Sequence, residues 1–151
     1  MFIKTQKTHP DAVLPIYGSG GAGCFDLTAV EVNGGTEPVN VLCGAPVLCN
    51  VGLAFEIPVG HVMLIFSRSG HGFKNAIRLS NCVGVIDSDY RGTVQVKLTM
   101  DASQDYRPIQ IKPGDRVAQA MIIPAPYVHF ELAEELGETE RGEGGFGSTG
   151  A

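Results

Sequence analysis

The clearest pattern along the chain is a period of two. Between Thr93 and Met100, Val94, Val96, Leu98 and Met100 alternate with Thr93, Gln95, Lys97 and Thr99, which predicts a strand with one buried face. Ile109 and Ile111 alternate in the same way, as do Val128, Phe130 and Leu132. Two denser runs, Val62-Met63-Leu64-Ile65-Phe66 and Met121-Ile122-Ile123, predict strands covered on both faces. Turn-forming clusters separate these runs: Asn33-Gly34-Gly35, Pro58-Val59-Gly60, Arg91-Gly92 and Lys112-Pro113-Gly114-Asp115. Short strands punctuated at this spacing predict one all-β domain, a sandwich, jelly roll or small barrel, with no repeat and no internal linker.

Composition narrows this further. A chain of 151 residues suits one domain, and its 20 glycines and 9 prolines break it too often for a helical bundle or coiled coil. Sixteen acidic against eleven basic residues give a charge of −5, and no block of Lys or Arg offsets it, which argues against direct nucleic-acid binding. A few placed arginines can still hold a small phosphate ligand. Cys24, Cys43, Cys49 and Cys82 form no Cys-x-x-Cys pair and have no finger-like histidines, so they read as free, mostly buried thiols in a cytoplasmic protein and not as a zinc site. The start, Met1 to Lys7, lacks the apolar stretch of a signal peptide. An 18-residue uncharged run from Pro38 to Phe55 is broken by Pro46, Gly44 and Gly52, so it reads as strands and turns, not as a membrane span.

Residues 1–136 read as the folded domain and 137–151 as a mobile arm with six glycines and three glutamates. Arg141 and Phe146 within those glycines could hold a phosphate and stack on a base; the alternative is a plain disordered terminus. Ser67-Arg68-Ser69-Gly70 could be an anion cradle but taken alone is a weak signal, since it is also an ordinary polar turn, and Gly114-Asp115-Arg116 reads equally as a site or a structural salt bridge. From Gly84 to Gly92, two carboxylates two residues apart precede Tyr90 and an Arg-Gly turn. That suggests a hairpin with one acid aimed into a pocket as a general base, or else a solvated tip.

Taken in order, these segments resemble the homotrimeric dUTPases, dUTP nucleotidohydrolases, from Phe2 to Gly150. The five motifs are Gly23-Cys24-Phe25-Asp26-Leu27-Thr28-Ala29, Ser67-Arg68-Ser69-Gly70, the stretch from Asn81 to Gly92, the stretch from Pro113 to Gln119, and the stretch from Arg141 to Gly150. Cys24 stands where the family usually has Gly, and Ser67 where it usually has Pro or Gly. The resemblance implies a jelly-roll-like β-barrel of the β-clip type with a flexible glycine-rich tail, assembled as a trimer with its sites between subunits. Its third motif would come from one chain, its first, second and fourth from another, and the tail from a third.

The resemblance also implies residue roles. A hairpin from Asn81 to Gln95 would hold uracil, with Asn81, Val85, Ile86 and Gln95 at the base and Tyr90 under the deoxyribose. Asp87 would activate the water that attacks the α-phosphorus, while Arg68, Ser69, Gly70 and Gln119 bind phosphates. Arg141 would reach the γ-phosphate, and Phe146, Gly147 and Ser148 would close over the substrate. Mg²⁺ would be held by the phosphates and water with no direct protein ligand, Asp26 lying at most one water away or pairing with Arg116. The products would be dUMP and pyrophosphate, limiting uracil in DNA and supplying dUMP for dTMP synthesis.

Two rivals accompany this reading. A dCTP deaminase of the same fold would need a Glu where Lys97 stands. A nucleotide-gated regulatory protein would use an extra surface, Val30 to Asn50, which departs furthest from the family pattern.

Overall fold

The computed structural model describes residues 1–101 and 108–145. Its strands are β1 (Lys4–Lys7), β2 (Ile16–Tyr17), β3 (Phe25–Thr28), β4 (Glu31–Val32), β5 (Val39–Val41), β6 (Val47–Asn50), β7 (Leu53–Glu56) and β8 (His61–Phe66). After the one helix among the described residues, α1 (Ser69–Asn75), come β9 (Ile77–Leu79), β10 (Val83–Ile86), β11 (Gln95–Met100), β12 (Ile109–Ile111) and β13 (Arg116–Pro124). The all-β expectation is met. A five-stranded sheet in the order β10-β8-β13-β3-β2 and a four-stranded sheet in the order β4-β6-β11-β9 carry most of the chain, and β1-β7 and β12-β5 form two short ribbons. Neighbours in sequence often belong to different sheets, as in a jelly roll, and the ladders do not join into a closed barrel.

The core is apolar, with Leu27, Leu53, Met63, Ile65, Leu79 and Leu98 among its fully buried side chains and no buried polar residue among the described residues. The alternation of β11 is realised: Val94, Val96, Leu98 and Met100 are buried while Gln95 and Lys97 are exposed. Asn33 and Gly34 both take positive φ (50° and 77°), and Val32 and Gly35 exchange backbone hydrogen bonds across them. That is the two-residue turn that Asn-Gly favours, because both positions need left-handed backbone.

Several expectations fail for identifiable reasons. Val128, Phe130 and Leu132 alternate but form no strand; they are 59%, 97% and 100% exposed. A strand needs a partner edge for its N–H and C=O groups, and this segment finds none among the described residues. The dense runs are not covered on both faces: Met63 and Ile65 are buried, but Val62, Leu64, Phe66, Met121, Ile122 and Ile123 are only half-buried. The four thiols are free, yet only Cys49 is buried; Cys43 and Cys82 are exposed because each lies in a connecting turn. The short helix had no apolar period to announce it, since Gly70 and Gly72 occupy its interior. No helix among the described residues is long and apolar enough to cross a membrane.

Candidate active site

Register across the five-stranded sheet builds one half of the site. Gln119 on β13 lies opposite Asp26 on β3 and, on its other side, opposite Phe66 at the end of β8. Residues directly opposite share a face, so the Asp26 carboxylate, the Gln119 amide and the chain leaving β8 meet on the outer side of this sheet. There Arg68 Nε donates to Asp26 Oδ1 at 2.9 Å and Arg116 Nη1 donates to Asp26 Oδ2 at 2.9 Å. Gln119 Nε2 donates to the Ser67 carbonyl at 3.0 Å, and the Ser67 hydroxyl accepts from Leu79 N–H at 2.9 Å. Ser67 thus adds a tie between β8 and β9 that a Pro or Gly could not make. Arg68, Ser69 and Gln119 line a shallow concavity of about 450 Å³ beside α1, and Gly70 lies in the first turn of that helix.

The Arg116–Asp26 pair depends on an irregularity. The ladder between β13 and β3 shifts register between Arg116 and Ala118, leaving Val117 and Ala118 both buried. Such a bulge re-aims the flanking side chain. Cys24 lies close by, half-buried, and burial, reinforced by the Asp26 charge, pushes its thiol above the ordinary value.

The other half forms around the third motif, but not as a hairpin. β10 pairs with β8, whereas β11 pairs with β6 on one side and β9 on the other. On β11, β6 takes one edge from Gln95 to Leu98 and β9 the other from Leu98 to Met100, while β10 stays in the five-stranded sheet, so residues 87–94 arch between the two sheets. The gap left where the strands diverge is a cleft of about 370 Å³. Asn81, Val85, Ile86 and Gln95 all line it, together with Leu48 of β6 and Lys97 of β11.

Asp87 is exposed on the arch immediately after Ile86. Its carbonyl accepts from Tyr90 N–H at 3.2 Å, and Arg91 Nη1 closes the turn on the Ser88 carbonyl at 2.7 Å. The Tyr90 hydroxyl donates to the Thr93 carbonyl at 3.2 Å, and its ring lies so close over Gly92 that a Cβ there would fall 2.6 Å from Cζ. Any side chain at that position would displace the Tyr90 ring from the arch.

Within one chain these halves stay apart. Val83 pairs with Phe66, so the four residues of β10, roughly 13 Å of strand, stand between Asp87 and the Arg68 end. Arg141 is in neither half: its Nε donates to the Gly144 carbonyl at 2.6 Å within its own turn. Phe146, Gly147 and Ser148 lie outside the described residues. Sequence reasoning missed Leu48 and Lys97 as cleft walls. Lys97 was signalled by sharing the outward phase of β11 with Gln95, but Leu48 was not, since nothing distinguishes it from a core leucine.

Comparison with known proteins gives this geometry its context. A model of the dUTPase family matches residues 11–150. A deoxyuridine 5'-triphosphate nucleotidohydrolase of Nautilia profundicola is 41% identical over 150 residues, covering 99% of each chain. One from Helicobacter pylori is 36% identical over 150 residues, covering 99% of this chain and 97% of its own. Among solved structures, a Staphylococcus bacteriophage 80alpha dUTPase mutant with dUpNHpp superposes with a TM-score of 0.85 at 23% identity, over 99% of both chains. A mutant dUTPase from phage phi11 of S. aureus, in which a structural Mg(II) ion is coordinated, gives a TM-score of 0.75 at 22% identity over 89% of this chain and 98% of its own. With matched fold, near-complete coverage and all five motifs in order, the chain belongs to the dUTPase family and is a dUTP diphosphatase.

Proposed function

We propose that the chain converts dUTP to dUMP and pyrophosphate by attack of an Asp87-activated water on the α-phosphorus, at sites shared between the copies of a homotrimer. The observation that carries this reading is the convergence of Asn81, Val85, Ile86 and Gln95 on one cleft with Asp87 at its end. The cleft holds the uracil, Asn81, Ile86 and Gln95 meeting its polar edge mostly through backbone groups. The Tyr90 ring, fixed over Gly92, packs under the deoxyribose and leaves no room for a 2′-hydroxyl.

Two features support a shared site. The cations that would neutralise the phosphates lie beyond the far end of β10 from Asp87, so a neighbouring copy must supply them. The outer face of the five-stranded sheet that carries Gln119 also carries Leu64, Phe66, Met121, Val83 and Val85, an apolar surface that a partner would cover. From the second chain, Arg68, Ser69, Gly70 and Gln119 hold the phosphates. Phosphoryl transfer needs positioning and charge neutralisation above all, which suits a site of few cations held in fixed geometry. The arm, residues 137–151, closes last: Arg141 leaves its own turn for the γ-phosphate, and Phe146, with Gly147 and Ser148, covers the base.

Mg²⁺ fits this donor set as an ion carried by the substrate. Among the described residues no three His, Cys, Asp or Glu side chains gather, and both Asp26 oxygens already accept from arginines. Triphosphate oxygens and water would hold it, with Asp26 at most one water away. When bound, the ion neutralises charge on the phosphates. In a cytoplasmic setting the reaction keeps uracil out of DNA and provides dUMP for dTMP synthesis.

A product assay with dUTP, dCTP, dTTP and UTP, each with Mg²⁺ and scoring pyrophosphate and ammonia separately, tests the reading. Pyrophosphate from dUTP alone is expected. Ammonia from dCTP would overturn it, and is not expected of a cleft whose charged wall is Lys97.

A further inference from the structure

Resting on the reading of the cleft as the nucleobase site, we infer that Lys97 is a specificity residue for the base, its ammonium donating to the carbonyl oxygen on carbon 4 of uracil. The cleft is lined by apolar side chains and by the neutral polar Ser80, Asn81 and Gln95; among the described residues Lys97 is the one charged residue lining it. Among the described residues the Lys97 ammonium has no ion-pair partner.

Its backbone is held, while among the described residues its side chain makes no hydrogen bond or ion pair. The Lys97 carbonyl accepts from Ser80 N–H at 2.8 Å, and Lys97 lies opposite Leu48 in the ladder between β11 and β6. Leu48 is itself fixed by Asn33: its N–H donates to Asn33 Oδ1 at 2.8 Å and its carbonyl accepts from Asn33 N–H at 2.7 Å. The segment from Val30 to Asn50 therefore presents a leucine beside the ammonium, narrowing the cleft mouth on the side away from Val85 and Ile86. A hydrophobic neighbour that displaces water strengthens a charge-assisted hydrogen bond.

An ammonium offers three donors and no acceptor. Uracil presents a carbonyl at carbon 4 and can accept; cytosine presents an amino group there, and donor would face donor. Such a contact both favours one base and disfavours the other, which backbone groups alone do only through their own donor pattern.

The test is kcat/KM for dUTP and dCTP, with Mg²⁺, on the full chain and on Lys97→Met, which keeps an unbranched stem and loses the charge. The expected result is a fall of roughly tenfold or more in the dUTP-to-dCTP ratio, carried by a higher KM for dUTP with kcat nearly unchanged. Lys97→Arg should restore most of the ratio. Val85→Trp, which fills the cleft, separates the two levels of the argument once size-exclusion chromatography shows its oligomeric state to match the parent's. An unchanged ratio in Lys97→Met, with dUTP turnover lost in Val85→Trp, overturns the role of Lys97 and leaves the cleft as the base site. Normal dUTP turnover in Val85→Trp overturns the cleft reading and the inference with it.

Discussion

Arg116 and Gln119 project from the same face of β13 although three residues apart, a spacing that puts side chains on opposite faces of a regular strand. The register shift between Arg116 and Ala118 absorbs one residue and brings both onto the face of Asp26. Asp26, 13% exposed, then satisfies two guanidiniums at once, Arg68 at 24% and Arg116 at 52% side-chain exposure. Asp26→Asn should therefore destabilise the protein by about 1–3 kcal/mol, since it leaves a partly buried arginine without its charge partner. Arg116→Met should cost no more than about 1 kcal/mol, because that pair is half in solvent. Urea midpoints of the two variants check the order; equal losses would contradict it.

Asp87 stands exposed at the end of β10 with its side chain unused by the turn, which employs only its carbonyl. Asp87→Asn should leave the arch intact, retain nucleotide binding and lose roughly 10²–10⁴-fold in turnover. Binding of dUpNHpp by calorimetry alongside steady-state rates separates the two effects. Turnover within a few fold of the parent would remove Asp87 from the role of base.

His71 makes the stability of this corner depend on pH. Burial, and after it the charge of Arg68, holds its pKa below the ordinary 6.5, with Asp115 opposing, and its Nδ1 is buried without a partner. Between the folded value and 6.5 the unfolded chain binds more protons than the folded one, so stability rises with pH across that window. The contribution is complete above about 6.5 and is lost as pH falls through the folded value. His71→Leu should flatten the slope of the urea midpoint between about pH 7 and pH 5, relative to the parent.

Thiol reactivity should divide the cysteines sharply. Cys43 and Cys82 are exposed, whereas burial, aided by Asp115, pushes Cys49 up to about 12. The thiolate is the reactive form, so an alkylating reagent at neutral pH should label Cys43 and Cys82 in the native protein and reach Cys49 only after unfolding. Mass spectrometry of time-resolved labelling reads this directly, and early modification of Cys49 would mean that the core opens locally at β6.

Much of the fold was legible because burial on a strand is a one-dimensional pattern. The alternation around β11 told which residues face inward, and Asn33-Gly34 told where the chain reverses, since both follow from local geometry. Val128, Phe130 and Leu132 carry the same alternation and form no strand, because pairing requires an edge that local sequence cannot promise. Recognition of the site residues came from their order in five motifs. The cleft wall at Leu48 carried no such label: an apolar residue between two buried neighbours looks the same whether it turns inward or outward.

The sequence by itself determined the all-β class, through residue type and period, and the resemblance to the dUTPases, through motif order, with Asp87, Tyr90 and the motif arginines as candidate groups, because all of these are properties of the chain itself. Only tertiary structure decided that β10 and β11 part to open a cleft, that a bulge brings Arg116 round to Asp26, and that Asp87 stands a strand's length from Arg68. Each of these is a matter of which edges are already occupied and how strands fall into register, and those are settled by contacts between residues far apart in the chain.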